Sequence, residues 1–201
     1  DLLVSGGSPL SKLSRTRATN DGARFCLYDN RQLAVVLDGM AVRLASLLPA
    51  AGDIVLVGIL RRGAPLAALL AERLRRLGIR CEQSLDLEVK RYADDLSLLY
   101  PQTLLRENHV ASGVSLAGKT VVVVDDVLYS GHSLLRVLQF LASHGAAVIR
   151  SVVLVDRRVG VLPVHADVIG AHLEVAPGSI IEVQVPPYET DFRIELVATS
   201  S

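Results

Sequence analysis

Val121-Val122-Val123-Val124-Asp125-Asp126-Val127-Leu128-Tyr129-Ser130-Gly131-His132-Ser133 is the stretch of this chain that decides the fold. With Thr120, its first four residues form the most apolar and β-branched run in the sequence, as a strand buried on both faces requires. From Gly131 to His144 the pattern turns helical and stops at Gly145. In open parallel sheets such a strand, loop and helix start is where ligands collect, because free N–H groups and the helix dipole point into the crevice beyond the strand ends. The N–H groups of the loop and the hydroxyls of Ser130 and Ser133 would face one phosphate, which Gly131 allows to come close. Asp125 and Asp126 add acceptors for the two vicinal hydroxyls of a ribose, each charge-assisted bond being worth about 1.5–3 kcal/mol. Singly, these residues have plainer jobs: two aspartates can cap a turn and Ser130 can start a helix. Their combination argues for a phosphorylated ribose.

The same alternation extends in both directions. From Asp29 to Leu48 the residues Leu33, Val36, Leu37, Met40, Ala41, Leu44 and Leu47 recur at helical spacing. Pro49 and Gly52 end that helix, and Ile54 to Leu60 reads as a wholly apolar strand. Arg61-Arg62-Gly63 turns into a second helix from about Pro65 to Leu77, closed by Gly78. Cys81 to Val89 is expected as a strand, and the polar stretch Lys90 to Leu116 as a long loop of the lid kind. Ser151 to Val155 is another apolar strand, and short strands are expected around Ala166 to Gly170, Ile180 to Val185 and Phe192 to Val197. Strands alternating with helices imply right-handed crossovers and an α/β fold with a mostly parallel sheet.

Composition narrows the class. Half of the 201 residues are apolar, Trp is absent and aromatics are few, so Val, Leu, Ile and Ala must build the core. Lys plus Arg equals Asp plus Glu at 21 each, so no overall charge draws the chain to nucleic acid, an anionic membrane or an acidic substrate. No apolar run reaches the roughly 18 residues of a membrane span, so a soluble protein is expected. Cys26 and Cys81 match no metal or disulfide pattern, which suits the reducing cytoplasm. The chain opens on Asp1, and residues 1–24 are expected as a mobile tail ahead of one domain over 25–201. That opening is rich in Ser, Gly and Arg, with only Asp1 and Asp21 as acids, which would also suit the remnant of a transit peptide and a plastid or mitochondrial location.

Other phosphate motifs do not fit. Gly113 to Thr120 matches G-x-x-x-x-G-K-[ST], but it runs from a polar stretch into a strand instead of from a strand into a helix, and no G-x-G-x-x-G follows a strand. A receiver-type Mg²⁺ pocket would also set two acids at a strand end, but early in the chain.

At Val121 to Ser133 the chain resembles the type I phosphoribosyltransferases, and within them the pyrimidine-operon attenuator proteins that also act as uracil phosphoribosyltransferases. The resemblance spans roughly Leu27 to Val197, and three further segments fall in the family's order. Val57-Gly58-Ile59-Leu60-Arg61-Arg62-Gly63 stands at the diphosphate loop, Tyr92-Ala93-Asp94-Asp95-Leu96 in the flexible loop, and Val155-Asp156-Arg157 with Leu162-Pro163 near the base. It implies the family's sheet flanked by helices with a small hood of short strands. It also implies transfer of the 5-phosphoribosyl group from phosphoribosyl diphosphate to a uracil-like base, with Mg²⁺ as cofactor. On it, Asp125 and Asp126 hold the ribose hydroxyls and, through water, the metal. Leu128 and Tyr129 lead into Ser130, Gly131, His132 and Ser133 at the 5′-phosphate. Arg61 and the N–H groups of Arg62 and Gly63 meet the diphosphate, with Arg91, Asp94 and Asp95 in the closing loop and Asp156 and Arg157 at the base.

The chain departs from the family at three places. Tyr92-Ala93-Asp94-Asp95 stands for Y-R-D-D and lacks a cation, for which Arg91 is the substitute. Arg158-Val159-Gly160-Val161-Leu162-Pro163 replaces G-H-R-E-L-P, removing polar groups near the base. Ser130-Gly131-His132-Ser133 replaces T-G-R-T and keeps its donors. These departures leave a second expectation beside the enzyme: a weak or inactive relative serving as a regulatory or RNA-binding protein, or as a subunit of a larger assembly. Arg73, Arg75, Arg76 and Arg80 are read as favouring a helix C-terminus and solvent rather than RNA. His109, His144, His165 and His172 share no metal spacing. A homodimer is the family-level expectation.

Overall fold

The computed structural model describes residues 23–50, 52–82, 84–89, 106–107 and 115–198. Its elements run β1 (Arg24–Tyr28), α1 (Asn30–Leu47), β2 (Ile54–Ile59), α2 (Gly63–Arg76), β3 (Ser84–Glu88), β4 (Arg106–Glu107), β5 (Thr120–Leu128), α3 (His132–Ser143), β6 (Val148–Asp156), β7 (Val168–His172), β8 (Ser179–Gln184) and β9 (Arg193–Ala198). The main sheet has the order β4-β3-β2-β5-β6-β7. Its five long strands are parallel, and the two-residue β4 pairs antiparallel to β3 at one edge. A second, antiparallel sheet of order β1-β9-β8 forms the hood.

The β-branched run of β5 explains the layering. Val122 and Val124 face α1 and α2, where Leu33, Leu37, Met40, Leu44, Leu66, Leu70 and Leu74 are buried. Val121 and Val123 face α3, against Leu134, Val137 and Leu141. Period-two alternation thus fills both faces with aliphatic side chains, as a parallel sheet covered on both sides demands. The hood shares the first of these cores through Ile181, Val183, Phe192 and Ile194. It is therefore seated on the sheet by apolar packing.

Several expected boundaries shift. β5 does not stop at Val124 but continues to Leu128, because its ladder with β6 runs on from Asp125 opposite Val153 to Leu128 opposite Asp156. The aspartate pair is therefore part of the strand, fixed by its hydrogen bonds. α2 begins at Gly63, with Pro65 inside its first turn, where a missing N–H costs nothing. β3 is shorter than Cys81 to Val89, and Arg106–Glu107 lies within the stretch expected as loop. β1 was not among the expected strands. It pairs with β9 from Arg24, where Arg24 reaches Glu182 (2.6 Å) and Glu195 (3.0 Å). Among the described residues no helix is long and apolar enough to cross a membrane.

Candidate functional site

Three helix starts near the strand ends differ in how they are capped. α1 carries a full capping box, with the Gln32 N–H on Asp29 Oδ1 and the Asp29 N–H on Gln32 Oε1, both at 2.9 Å. Neither α2 nor α3 has a side-chain cap. The N–H groups of their first turns are left for another partner, and the partial positive charge there favours an anion. In α3 the first helical bond runs from the Leu135 N–H to the Gly131 carbonyl (3.0 Å), so the N–H groups of 132–134 precede it. Gly131 sits at φ 89°, a conformation that glycine enters without the Cβ penalty.

Between these two helix starts opens a cavity of about 580 Å³. Its walls include Arg61 and Arg62 after β2, Asp125, Asp126, Tyr129 and Ser133 from β5 and α3, Arg157 after β6, and Ser179, Ile180 and Ile181 from the hood. Seven residues singled out in the sequence thus share one space. Asp125 is buried, with its Oδ1 accepting the Asp126 N–H, while Asp126 Oδ1 accepts the Val127 N–H, each at 2.9 Å. These bonds set the direction of both carboxylates. Ser130 and His132 stand beside the cavity wall, Ser130 Oγ lying 2.9 Å from His132 Nδ1. The residues behind them hold the loop, since the Val161 N–H donates to the Ser130 carbonyl and Leu162 and Val164 pack at Gly131.

Some expected residues take other places. Leu128 is buried in the core against α3, and its carbonyl accepts the Arg157 N–H (3.1 Å). Its side chain is in the core, and its backbone anchors the loop. Gly63 is buried under the β5 backbone. Asp156 is turned to its own surroundings, accepting the Arg158 N–H at 2.8 Å and lying 3.5 Å from His172 Nδ1. Arg91, Asp94 and Asp95 lie outside the described residues, as does Ala93. The basic cluster at the end of α2 is tied to acids: Arg73 to Asp38 (2.7 Å), and Arg75 and Arg76 to Glu72 (2.9 and 3.1 Å). That pairing lowers its attraction for a polyanion.

Two arginines at the cavity are held from the hood by residues that no sequence signal marked. Arg61 lies over the Tyr188 ring, 4.9 Å from its centre. Arg62 Nη2 bonds Glu189 Oε1 at 2.6 Å, and Arg62 Nη1 lies 3.9 Å from Asp126 Oδ2. The hydrogen bond with Glu189 raises the Arg62 guanidinium above its ordinary value, and the same bond holds Glu189 below the usual carboxylate range. Arg157 is buried. Its Nε donates to the Leu173 carbonyl (3.2 Å), and its guanidinium stands 5.7 Å from the centre of the Tyr129 ring.

A parallel sheet, a hooded cavity at its strand ends, paired carboxylates and two uncapped helix starts thus come together at one place in the fold. The chain belongs to the phosphoribosyl transferase domain family, whose sequence profile matches residues 27–190. Among curated relatives it is similar to the bifunctional protein PyrR of several bacteria. It is 36% identical to the Gloeothece citriformis protein over 160 residues, covering 77% of this chain and 89% of that one. It is 35% identical to that of Pelotomaculum thermopropionicum over 150 residues, covering 74% and 82%. Among solved structures, the hypoxanthine phosphoribosyltransferase of Trypanosoma cruzi superposes with a TM-score of 0.67 at 18% identity, covering 87% of this chain and 97% of that one. At that identity the likeness carries the fold.

Proposed function

We propose that this chain transfers the 5-phosphoribosyl group from phosphoribosyl diphosphate to a pyrimidine base of the uracil type, releasing diphosphate. One observation carries the reading: the uncapped starts of α2 and α3 flank the Asp125–Asp126 pair around a single cavity. Two anionic groups joined by a ribose diol would match two anion-favouring helix ends separated by two carboxylates. The N–H groups of 132–134 with the hydroxyls of Ser130 and Ser133 would take the 5′-phosphate. Arg61 and the start of α2 would take the diphosphate, and Asp125 and Asp126 the ribose hydroxyls.

Hard carboxylate oxygens at the cavity wall suit Mg²⁺, which keeps most of its waters and binds through one or two carboxylates plus substrate phosphates. Among the described residues no group of three or more metal-binding side chains gathers. Asp125 and Asp126 would hold it through water, and its charge would ease departure of the diphosphate. The chain's own contribution is positioning and charge stabilisation around the anomeric carbon.

For the base, Arg157 is the group to watch. Beyond its bond to Leu173 its Nη atoms make no further hydrogen bond among the described residues, and the side chain lines the cavity. A guanidinium whose free donors open into the cavity suits a ring carbonyl oxygen. Diphosphate release should be measured with phosphoribosyl diphosphate, Mg²⁺ and, in turn, uracil, cytosine, hypoxanthine and guanine. Release with uracil alone is expected. Turnover only with a purine would overturn the base, and binding without turnover for any base would favour a regulatory relative.

A further inference from the structure

The turn after β8, Val185-Pro186-Pro187-Tyr188-Glu189, closes on itself. The N–H groups of Tyr188 and Glu189 both donate to the Val185 carbonyl (3.1 and 3.3 Å), and the Val185 N–H donates to Glu189 Oε2 (2.8 Å). Glu189 is thereby fixed before it reaches any other element. From that position it takes Arg62 on both oxygens, Nη2 at 2.6 Å and Nε at 3.3 Å, in the forked geometry that a guanidinium and a carboxylate share. Arg62 then extends to Asp126, and Tyr188 lies under Arg61. The hood thus touches both arginines of the segment between β2 and α2.

Backbone contacts hold that segment from below. The Leu60 N–H donates to the Leu87 carbonyl (2.8 Å), and Gly58 and Gly63 press against the backbones of Ala64 and Val124. Its side chains need a second support, and the hood supplies it. An isolated surface ion pair adds little to stability, because solvent screens it and ordering two long side chains costs entropy. A forked pair linking three separate elements at a ligand cavity has a different use. It fixes in advance the angle at which a loop and a carboxylate meet the ligand.

We propose that Tyr188 and Glu189 are positioning residues of the phosphoribosyl diphosphate site, Glu189 holding Arg62 between the hood and Asp126 and Tyr188 holding Arg61 at the diphosphate position. The proposal rests on the function given above. Neither residue touches the reacting atoms; both act through the arginines. Removing the brace leaves those arginines and Asp126 to be ordered when the ligand binds, so affinity for the diphosphate falls while the base is recognised as before.

The test compares the native chain with Glu189→Ala, Tyr188→Leu and the conservative Tyr188→Phe, each checked for native circular dichroism and cooperative unfolding. Calorimetry with phosphoribosyl diphosphate and Mg²⁺ is expected to show affinity reduced roughly ten- to a hundredfold by Glu189→Ala and Tyr188→Leu. Tyr188→Phe keeps the ring face and should bind as the native chain does. In kinetics, KM for phosphoribosyl diphosphate should rise with KM for the base unchanged. Without any ligand, amide hydrogen exchange across 60–63 should be faster in Glu189→Ala. Folded Glu189→Ala and Tyr188→Leu variants with native affinity and native exchange would overturn the brace. A native chain that fails to bind phosphoribosyl diphosphate would overturn the function itself and the positioning role with it.

Discussion

Gly63 lies so close to Val124 that a Cβ on it would stand 2.4 Å from the Val124 carbonyl oxygen. This contact presses the first turn of α2 onto β5 one residue before Asp125. The two halves of the candidate site are thereby set side by side by backbone, ahead of any side-chain interaction.

Gly63→Ala should therefore force α2 away from β5. The obstacle is backbone and cannot rotate aside, so a cost of about 1–3 kcal/mol is expected, as for other overpacked positions. For a chain of this size each kcal/mol lowers Tm by about 2–4 °C. A fall of several degrees, with loss of phosphoribosyl diphosphate binding, is the expected result. A variant with native Tm and native affinity would show that the contact is not required.

Arg157→Ala should separate base from ribose phosphate. The change removes a buried side chain that lines the cavity and lies beside Tyr129, leaving the Asp125–Asp126 pair and the start of α3 untouched. KM for the base should rise at least tenfold, about 1.4 kcal/mol, while phosphoribosyl diphosphate binds as before. Equal losses for both ligands would place Arg157 in the general scaffold.

Much of this was readable from residue order. The four valines of 121–124 announced the central strand, because only aliphatic side chains suit a strand covered on both faces, and Ser130 to Ser133 announced the helix start that follows. Asp126 was singled out from its place after an apolar strand, and Arg61 and Arg157 from the family resemblance, and all three line one cavity. Tyr188 and Glu189 were not singled out. They reach the site through the pairing of β8 with β9 and the seating of the hood on the sheet, contacts between segments more than a hundred residues apart in sequence from Arg61 and Arg62. The length of β5 was missed for a related reason. Asp125 and Asp126 are poor strand formers on their own, and only the β6 ladder keeps them extended.

The two thiols should differ. Burial pushes the Cys81 thiol up to about 11, whereas Cys26 is exposed on β1. The thiolate is the reactive form, so an aromatic disulfide reagent at about pH 8 should modify Cys26 rapidly and Cys81 only slowly until the chain is unfolded. Two equal fast phases in the folded protein would contradict this packing of Cys81.

Acid should undo the hood brace. Glu189 is held below the usual carboxylate range by Arg62, so its contribution to stability is fully present above the unfolded value of about 4.3 and is lost as pH falls through the lower folded value. Partial exposure keeps that contribution on the order of 1 kcal/mol or less. Denaturant unfolding of the native chain and Glu189→Gln should show a gap at pH 7 that closes below about pH 4. A gap that widens toward low pH would reverse the assigned sign.

The central claim is that the Asp125–Asp126 pair receives the ribose of phosphoribosyl diphosphate. Calorimetric titration of that ligand, with and without Mg²⁺, into the native chain and into an Asp125→Asn, Asp126→Asn double variant tests it most directly, with circular dichroism confirming that the variant folds. Two lost charge-assisted bonds should weaken binding by roughly a hundredfold or more, against saturable Mg²⁺-dependent binding in the native chain. Native affinity in the folded double variant, or no binding in the native chain, would contradict the account.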